Sequence, residues 1–276
     1  MTITMHTNKV TGDPMWIAES SYHEKDLVKM AKFWWNNGTP SGKFKVPEGV
    51  PHKVWWTPDI DKAVILIDYT EGDTKEVLVA HLANINQRLQ DSVATDSDMI
   101  IPIPDGLEYY PYQKAGIAFG SNNNNVLIAD EMGLGKTIQS IGILNYKTSL
   151  KRALIVVPAS LKVNWKKELA VWSTRDLSVA VVNSTDGKKK TLVNQAADII
   201  IVNYASLISK KLEWLNDIDF DVIIADEVHK VKNNTAKRSK KFYELAKKID
   251  HKIYLSGTPM LNRPVELFHI INSLGF

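Results

Sequence analysis

Lys136 and Thr137 follow Gly133-Leu134-Gly135 directly. They close a stretch that starts as an apolar run, Val126-Leu127-Ile128-Ala129, and turns through Asp130, Glu131 and Met132. These residue types at this spacing can hold phosphate. Glycines let backbone N–H groups turn toward phosphate oxygens, the Lys136 ammonium can reach the β- and γ-phosphates, and the Thr137 hydroxyl can ligate Mg²⁺ where a helix begins. The pattern G-x-x-x-x-G-K-[ST] has one departure, since Asp130 stands where its first glycine would be. Taken alone, the string also reads as a Gly-rich turn.

Two further groups of residues bear on the same chemistry. In Val222-Ile223-Ile224-Ala225-Asp226-Glu227-Val228-His229, two acids follow four apolar residues. At the carboxyl end of a strand, Asp226 can hold the metal while Glu227 polarises or deprotonates a water near the γ-phosphate. By itself the pair also reads as acids complementing a helix N-terminus. Leu255-Ser256-Gly257-Thr258-Pro259 again follows a strand, and its small hydroxyl residues can hydrogen-bond the acids and relay nucleotide state. In isolation it is an ordinary turn.

The elements that must position these groups are legible as aliphatic runs. Strands are expected at 126–129, 153–157, 179–182, 199–202, 222–225 and 252–255, each nearly continuous in apolar residues, as in a parallel sheet covered on both faces. Helices are expected at 136–148, 161–171, 188–195, 206–215, 235–249 and 264–273. The alternation predicts an open, doubly wound α/β sheet, whose ligands bind beyond the carboxyl ends of the strands. Before residue 94 the pattern differs. Helical spacing appears over 22–35, 59–69 and 74–89, with a strand at 54–57, and breakers at 38–42 and 47–51 flank a short 43–46 segment. Pro102, Pro104 and Gly106 exclude a regular helix there, so the expected organisation is a small α+β domain over 1–93, a linker over 94–106 and a larger domain over 107–276.

Composition narrows the class. At 276 residues and 44% hydrophobic, the chain can bury a sizeable core. Its apolar runs are too short to span a bilayer and its N-terminus has no signal pattern, so a soluble, intracellular protein with no membrane partner is expected. With no cysteine, disulfides and thiolate metal sites are excluded. The seven histidines show no metal-ligand spacing, and Mg²⁺ is the one metal expected. A formal charge of +3 does not by itself announce a polyanion partner.

The order of these motifs resembles the superfamily 2 helicase-like ATPases, specifically the Swi/Snf branch of DNA translocases. Tyr112-Gln113 is similar to that branch's adenine-reading glutamine motif, and Asp130 to Thr137 to its first motif, non-glycine opening included. Val156-Val157-Pro158-Ala159-Ser160-Leu161 resembles motif Ia, and Val202-Asn203-Tyr204 the motif after it. Asp226 to His229 resembles the Asp-Glu-x-His box, with valine in place of the commoner alanine or glycine, and Ser256 to Pro259 resembles motif III. Leu261-Asn262-Arg263-Pro264-Val265-Glu266-Leu267 is similar to this branch as well. The resemblance covers residues 107–276.

It implies a RecA-like lobe that binds ATP and Mg²⁺ through Gln113, Asp130, Glu131, Met132, Gly133, Leu134, Gly135, Lys136 and Thr137. Thr137 and Asp226 would hold the metal, Lys136 and Glu227 would serve catalysis, and His229, Ser256 and Thr258 would couple the motifs. Pro158, Ser160, Leu161, Lys162 and Tyr204 would contact DNA phosphate through backbone N–H groups and hydroxyls. The activity implied is ATP hydrolysis coupled to movement on double-stranded or branched DNA, which it remodels or anneals. A second RecA-like lobe would supply an arginine finger worth roughly 10³–10⁵ in rate, so the 276-residue chain alone is expected to hydrolyse little ATP. A strand-separating DNA or RNA helicase and a non-hydrolysing nucleotide- or DNA-binding module remain open alternatives.

Two features are less decided. Lys230, Lys232, Lys237, Arg238, Lys240, Lys241, Lys247 and Lys248 form a basic run that reads either as a DNA track or as a solvated helix face. Trp16, Trp34, Trp35, Trp55 and Trp56 crowd the N-terminal part, which is similar to the HARP-like modules of annealing helicases. They can stack on bases or build a small core, and core is the preferred reading.

Overall fold

The computed structural model describes residues 1–37, 46–48, 50–258 and 264–275, the side chains of 264–266 excepted. The breaker at 38–42, most of the 43–46 segment, Pro259 and residues 261–263 lie outside it. Contacts divide the chain into two compact units, Met1–Gln90 and Asp91–Phe276.

The first unit pairs β1 (Thr2–Thr7), β2 (Pro14–Glu19), β3 (Trp34–Asn36) and β4 (Val54–Thr57) in an antiparallel sheet of order β1-β2-β4-β3. Its helices are α1 (Lys25–Met30), α2 (Ile60–Val64) and α3 (Gly72–Ser92), whose last two residues fall in the second unit. Side chains alternate between two cores. Trp16 and Ala18 pack with Val28, Ala63 and Leu78 on one face, and Met15 and Ile17 pack with Val54 and Trp56 on the other. The helix expected over 22–35 is reduced to α1. Lys32 takes the left-handed conformation at φ 59°, and Trp34 to Asn36 are drawn out to pair with β4. The helix expected over 59–69 also stops early, at Val64, with a separate 3₁₀ turn at Ile67–Tyr69.

In the second unit α4 (Pro111–Asn122) precedes β5 (Asn125–Ile128), α5 (Lys136–Tyr146), β6 (Ala153–Val157), α6 (Lys162–Trp172) and β7 (Val179–Val181). Next come α7 (Lys188–Gln195), β8 (Ile199–Asn203), β9 (Val222–Asp226), α8 (Lys237–Ala246), β10 (His251–Leu255) and α9 (Pro264–Ser273). Among the described residues, six parallel strands form one sheet of order β5-β10-β9-β6-β8-β7. Alternate residues serve opposite faces. Ile155, Ile201, Ile224 and Ile253 pack with Ile117 of α4, Ile141 of α5 and Trp165 of α6, while Leu154, Ile200, Ile223 and Tyr254 pack with Phe242 of α8 and Ile270 of α9. The sheet is thus doubly wound and open, an α/β fold as the periodicity predicts.

One expected helix is absent. Residues 206–215 form two 3₁₀ segments, Ser206–Ile208 and Lys210–Asp217, because Ser209 between them is extended at φ −76°, ψ 129°. Residues 99–103 run extended yet packed. Met99, Ile101 and Ile103 join the core beneath α4 and α5, and Tyr109 Oη donates to the carbonyl of Pro102.

Strand register places the site. Leu255 of β10 pairs with Ile128 on one side and with Asp226 on the other, so three loops leave the sheet in one row. No helix among the described residues is long and apolar enough to cross a membrane.

Candidate functional site

The phosphate loop leaves β5 at Ala129 and returns at the first turn of α5. Gly133 and Gly135 have φ of 87° and 75°, and Gly135 is the left-handed N-cap of α5, a conformation that costs a residue with a Cβ. A Cβ at Gly135 would also collide with the Gln113 amide nitrogen. Asp130 is not in the left-handed region, so nothing in the backbone demands the missing glycine. Its carboxylate instead accepts from Gln139 Nε2 at 2.6 Å, which ties the loop to the buried side of α5. Lys136 Nζ donates to the carbonyls of Asp130 and Glu131 at 2.8 and 2.9 Å. Gln113 is buried at the start of α4. Its Oε1 accepts from Tyr110 N at 3.1 Å and its Nε2 donates to Leu134 O at 3.4 Å, so the glutamine motif braces the loop.

Asp226 ends β9 and is 7% exposed. Its oxygens accept from Trp165 Nε1 and from Glu227 N, both at 2.9 Å. Burial pushes its carboxyl above the ordinary value, assisted by Glu227, while the Trp165 hydrogen bond and Lys136 pull the other way. Glu227 sits in the left-handed region at φ 52°, and its Oε2 lies 3.1 Å from His229 Nδ1. His229 Nδ1 is also 3.3 Å from Ser256 Oγ, which accepts from Thr258 N at 3.3 Å. Burial lowers the His229 pKa, with Glu227 opposing. Gly257 completes the convergence. A Cβ there would meet Met132 Cγ at 2.8 Å and Lys136 Nζ at 3.4 Å, which places the third loop against the first.

The donor set suits a hard cation bound together with phosphate. Thr137 supplies a hydroxyl and Asp226 a carboxylate, the oxygen ligands Mg²⁺ prefers. Among the described residues, no group of three or more His, Cys, Asp or Glu could hold a metal alone, so phosphate and water oxygens would complete the shell.

The expected DNA-contacting residues do not share one disposition. Ser160 is exposed on the 3₁₀ turn Ala159–Leu161, which Pro158 opens, while Leu161 packs against the α6 side of the core. Lys162 points inward instead. Its ammonium donates to Val182 O at 3.2 Å and to Asn183 Oδ1, and burial lowers its pKa. Tyr204 is likewise committed, donating its hydroxyl to Asp226 O at 2.8 Å from a buried position. Neither side chain is free for phosphate, which corrects the hydroxyl role expected for Tyr204. In the basic run, Lys230, Lys237, Arg238, Lys240, Lys247 and Lys248 are exposed, and Lys241 bonds Asn216 and Glu244. Trp165 and Gln139 went unnoticed in the sequence because neither belongs to a motif string. Their one signal is helical position, Gln139 three residues after Lys136 and Trp165 four after Leu161.

The comparisons with known proteins agree with this geometry. The SNF2-related domain family matches residues 26–276, starting well before the motifs do. Human DNA annealing helicase and endonuclease ZRANB3 is 36% identical over 189 residues, 66% of this chain and 17% of that protein. Gallus gallus DNA repair and recombination protein RAD54B is 33% identical over 180 residues, 58% of this chain and 19% of that protein. This chain therefore spans less than a fifth of these curated relatives. Among solved structures, the Sulfolobus solfataricus SWI2/SNF2 ATPase core in complex with dsDNA superposes with a TM-score of 0.54 at 26% identity, covering 64% of this chain and 38% of that one. With the family match spanning nearly the whole sequence and the motif loops converging at one sheet edge, the chain belongs to the SNF2-related domain family.

Proposed function

We propose that this chain is the ATP-binding part of an ATP-dependent DNA translocase, which couples hydrolysis to movement along duplex DNA and remodels or anneals branched DNA. The observation that carries the reading is the chain of contacts from Glu227 through His229 to Ser256, set beside Lys136 in the row fixed by Ile128, Leu255 and Asp226. It links the group suited to activating water with the loop suited to sensing nucleotide. Residues 107–276 act as the first RecA-like lobe, 94–106 as its connection and 1–93 as an accessory domain, and a second lobe closes the cleft. The named relatives, an annealing helicase and a recombination protein, support an intracellular site of action on DNA.

In this reading Lys136 and the loop N–H groups take the β- and γ-phosphates of ATP, and Gln113 meets the adenine. Thr137 and Asp226 would hold Mg²⁺, which would neutralise developing phosphate charge. Glu227 accepts the proton of the attacking water at its carboxylate. His229, in contact with that carboxylate, transmits its state to Ser256 and Thr258. Ser160, exposed on the turn that Pro158 opens, positions DNA phosphate through its backbone N–H and hydroxyl.

The test is duplex-stimulated ATP hydrolysis by the full-length protein, with triplex displacement scored beside strand displacement. Stimulation that Lys136→Ala abolishes, with triplex displaced and duplex strands left paired, is expected. Hydrolysis indifferent to DNA, or to Lys136→Ala, would sink the translocase reading, and duplex strand separation would favour the helicase alternative.

A further inference from the structure

Lys252, the second residue of β10, lies on a strand face that is otherwise apolar. Strand alternation puts it on the side of Tyr254, which packs with Phe242 of α8 and Ile270 of α9, and register pairs it with Asn125 of β5. Lysine this buried, at 9% exposure, is rare unless paired. Lys162 shows the ordinary solution, with two oxygens on its ammonium. Lys252 has no hydrogen-bond or ion-pair partner for its ammonium among the described residues, so its buried stem carries an unpartnered head to the surface, and the neighbouring Asn125 Oδ1 is buried and unpaired. Both residues line a cleft of about 530 Å³ between α8 and α9. Lys247, His269, Asn234 and Asn272 also line it; among the described residues no Asp or Glu does, although the Asp250 charge acts on Lys252 from outside the lining.

We propose that this cleft binds a small phosphate dianion, with the unpartnered Lys252 ammonium as one cation and Lys247 as a second. Two lysines match a double charge, and neutral amides can donate to the remaining oxygens. Burial lowers the Lys252 pKa, and a bound anion opposes that shift by favouring the ammonium. The cleft is floored by the starts of β5 and β10, whereas the nucleotide loops leave the strand ends, so the site does not depend on the proposed ATP chemistry.

Titration of the 276-residue chain with inorganic phosphate, read as a shift in Tm against chloride at matched ionic strength, tests the proposal. A saturable rise is expected, retained in Lys136→Ala and weakened at least tenfold in apparent affinity by Lys252→Met. Asn272→Asp sets a carboxylate on an exposed rim position and covers the case in which Lys252→Met fails to fold. It should weaken phosphate to the same degree. No rise in the unaltered chain, a rise both cleft variants keep, or one that Lys136→Ala removes would overturn the proposal. So would an equal rise with acetate, which would make the ligand a carboxylate rather than a phosphate.

Discussion

Glu131 to Leu134 stand exposed above β5, whereas Asp226, across β10 from them, is buried under Trp165 and Tyr204. The phosphate loop is held by two left-handed glycines, by Gln113 and Gln139, and by Lys136 on its own carbonyls. The acidic box is held by aromatic side chains from α6 and from the loop after β8. The first can adapt to a ligand, and the second is fixed before one arrives. The contrast suggests a division in which the loop sets affinity and the box sets rate.

The sharpest break in that comparison is Glu227→Gln, which keeps the shape and removes the proposed base. In the full-length protein, hydrolysis should fall by about 10²–10⁴ while ATP affinity stays within a few-fold. A parallel loss of affinity would show that the box also binds, and the division would fail. Next is Trp165→Phe, which removes the Nε1 donor and leaves a buried carboxylate oxygen unpaired. Unfolding free energy should drop by about 1–3 kcal/mol in denaturant titrations. An unchanged midpoint would show that water replaces the indole and that the box is less rigid than its contacts imply.

Gly135→Ala probes the other side. The left-handed φ costs roughly 1–2 kcal/mol for a residue with a Cβ, and the Gln113 amide must move as well. Nucleotide affinity should fall with stability, since the same backbone forms the cradle. Loss of stability at full affinity would separate the cradle from the glycine.

How much of this was legible depends on where the determinant sits. The strands of the parallel sheet announce themselves because both faces are buried, so Ile199 to Val202 read as a local aliphatic run. The N-terminal strands are set by partners far along the chain. Trp34 and Trp35 fit helical spacing until β4 pairs with them, and β1 carries mostly exposed side chains that give no clear pattern. Trp16 and Trp56 are buried, Trp34 packs on Trp56, and Trp35 stays 48% exposed, so the tryptophans mainly build core. At the site, the motif residues were visible from type and spacing. The direction of a side chain was not, and Lys162 and Tyr204 face inward for reasons that belong to β7 and β9.

The smallest effect concerns the charge on Asp226. Because burial raises its pKa in the folded chain, the native state holds this proton to higher pH than the unfolded state does. Stability from this group is therefore complete below the unfolded value, about pH 4, and is lost as pH rises through the raised folded value. Other carboxylates oppose it, since hydrogen bonds to Ser178 hold Asp198 below its ordinary value. The difference between the unaltered chain and Asp226→Asn isolates the term. Denaturation midpoints measured across the acid range should give a difference that declines with rising pH and then levels. A difference that grows with pH would mean that Asp226 is stabilised as an anion by the fold alone. The decline instead marks a carboxylate kept charged at a cost in stability, which fits a group whose natural counter-charge is a metal ion.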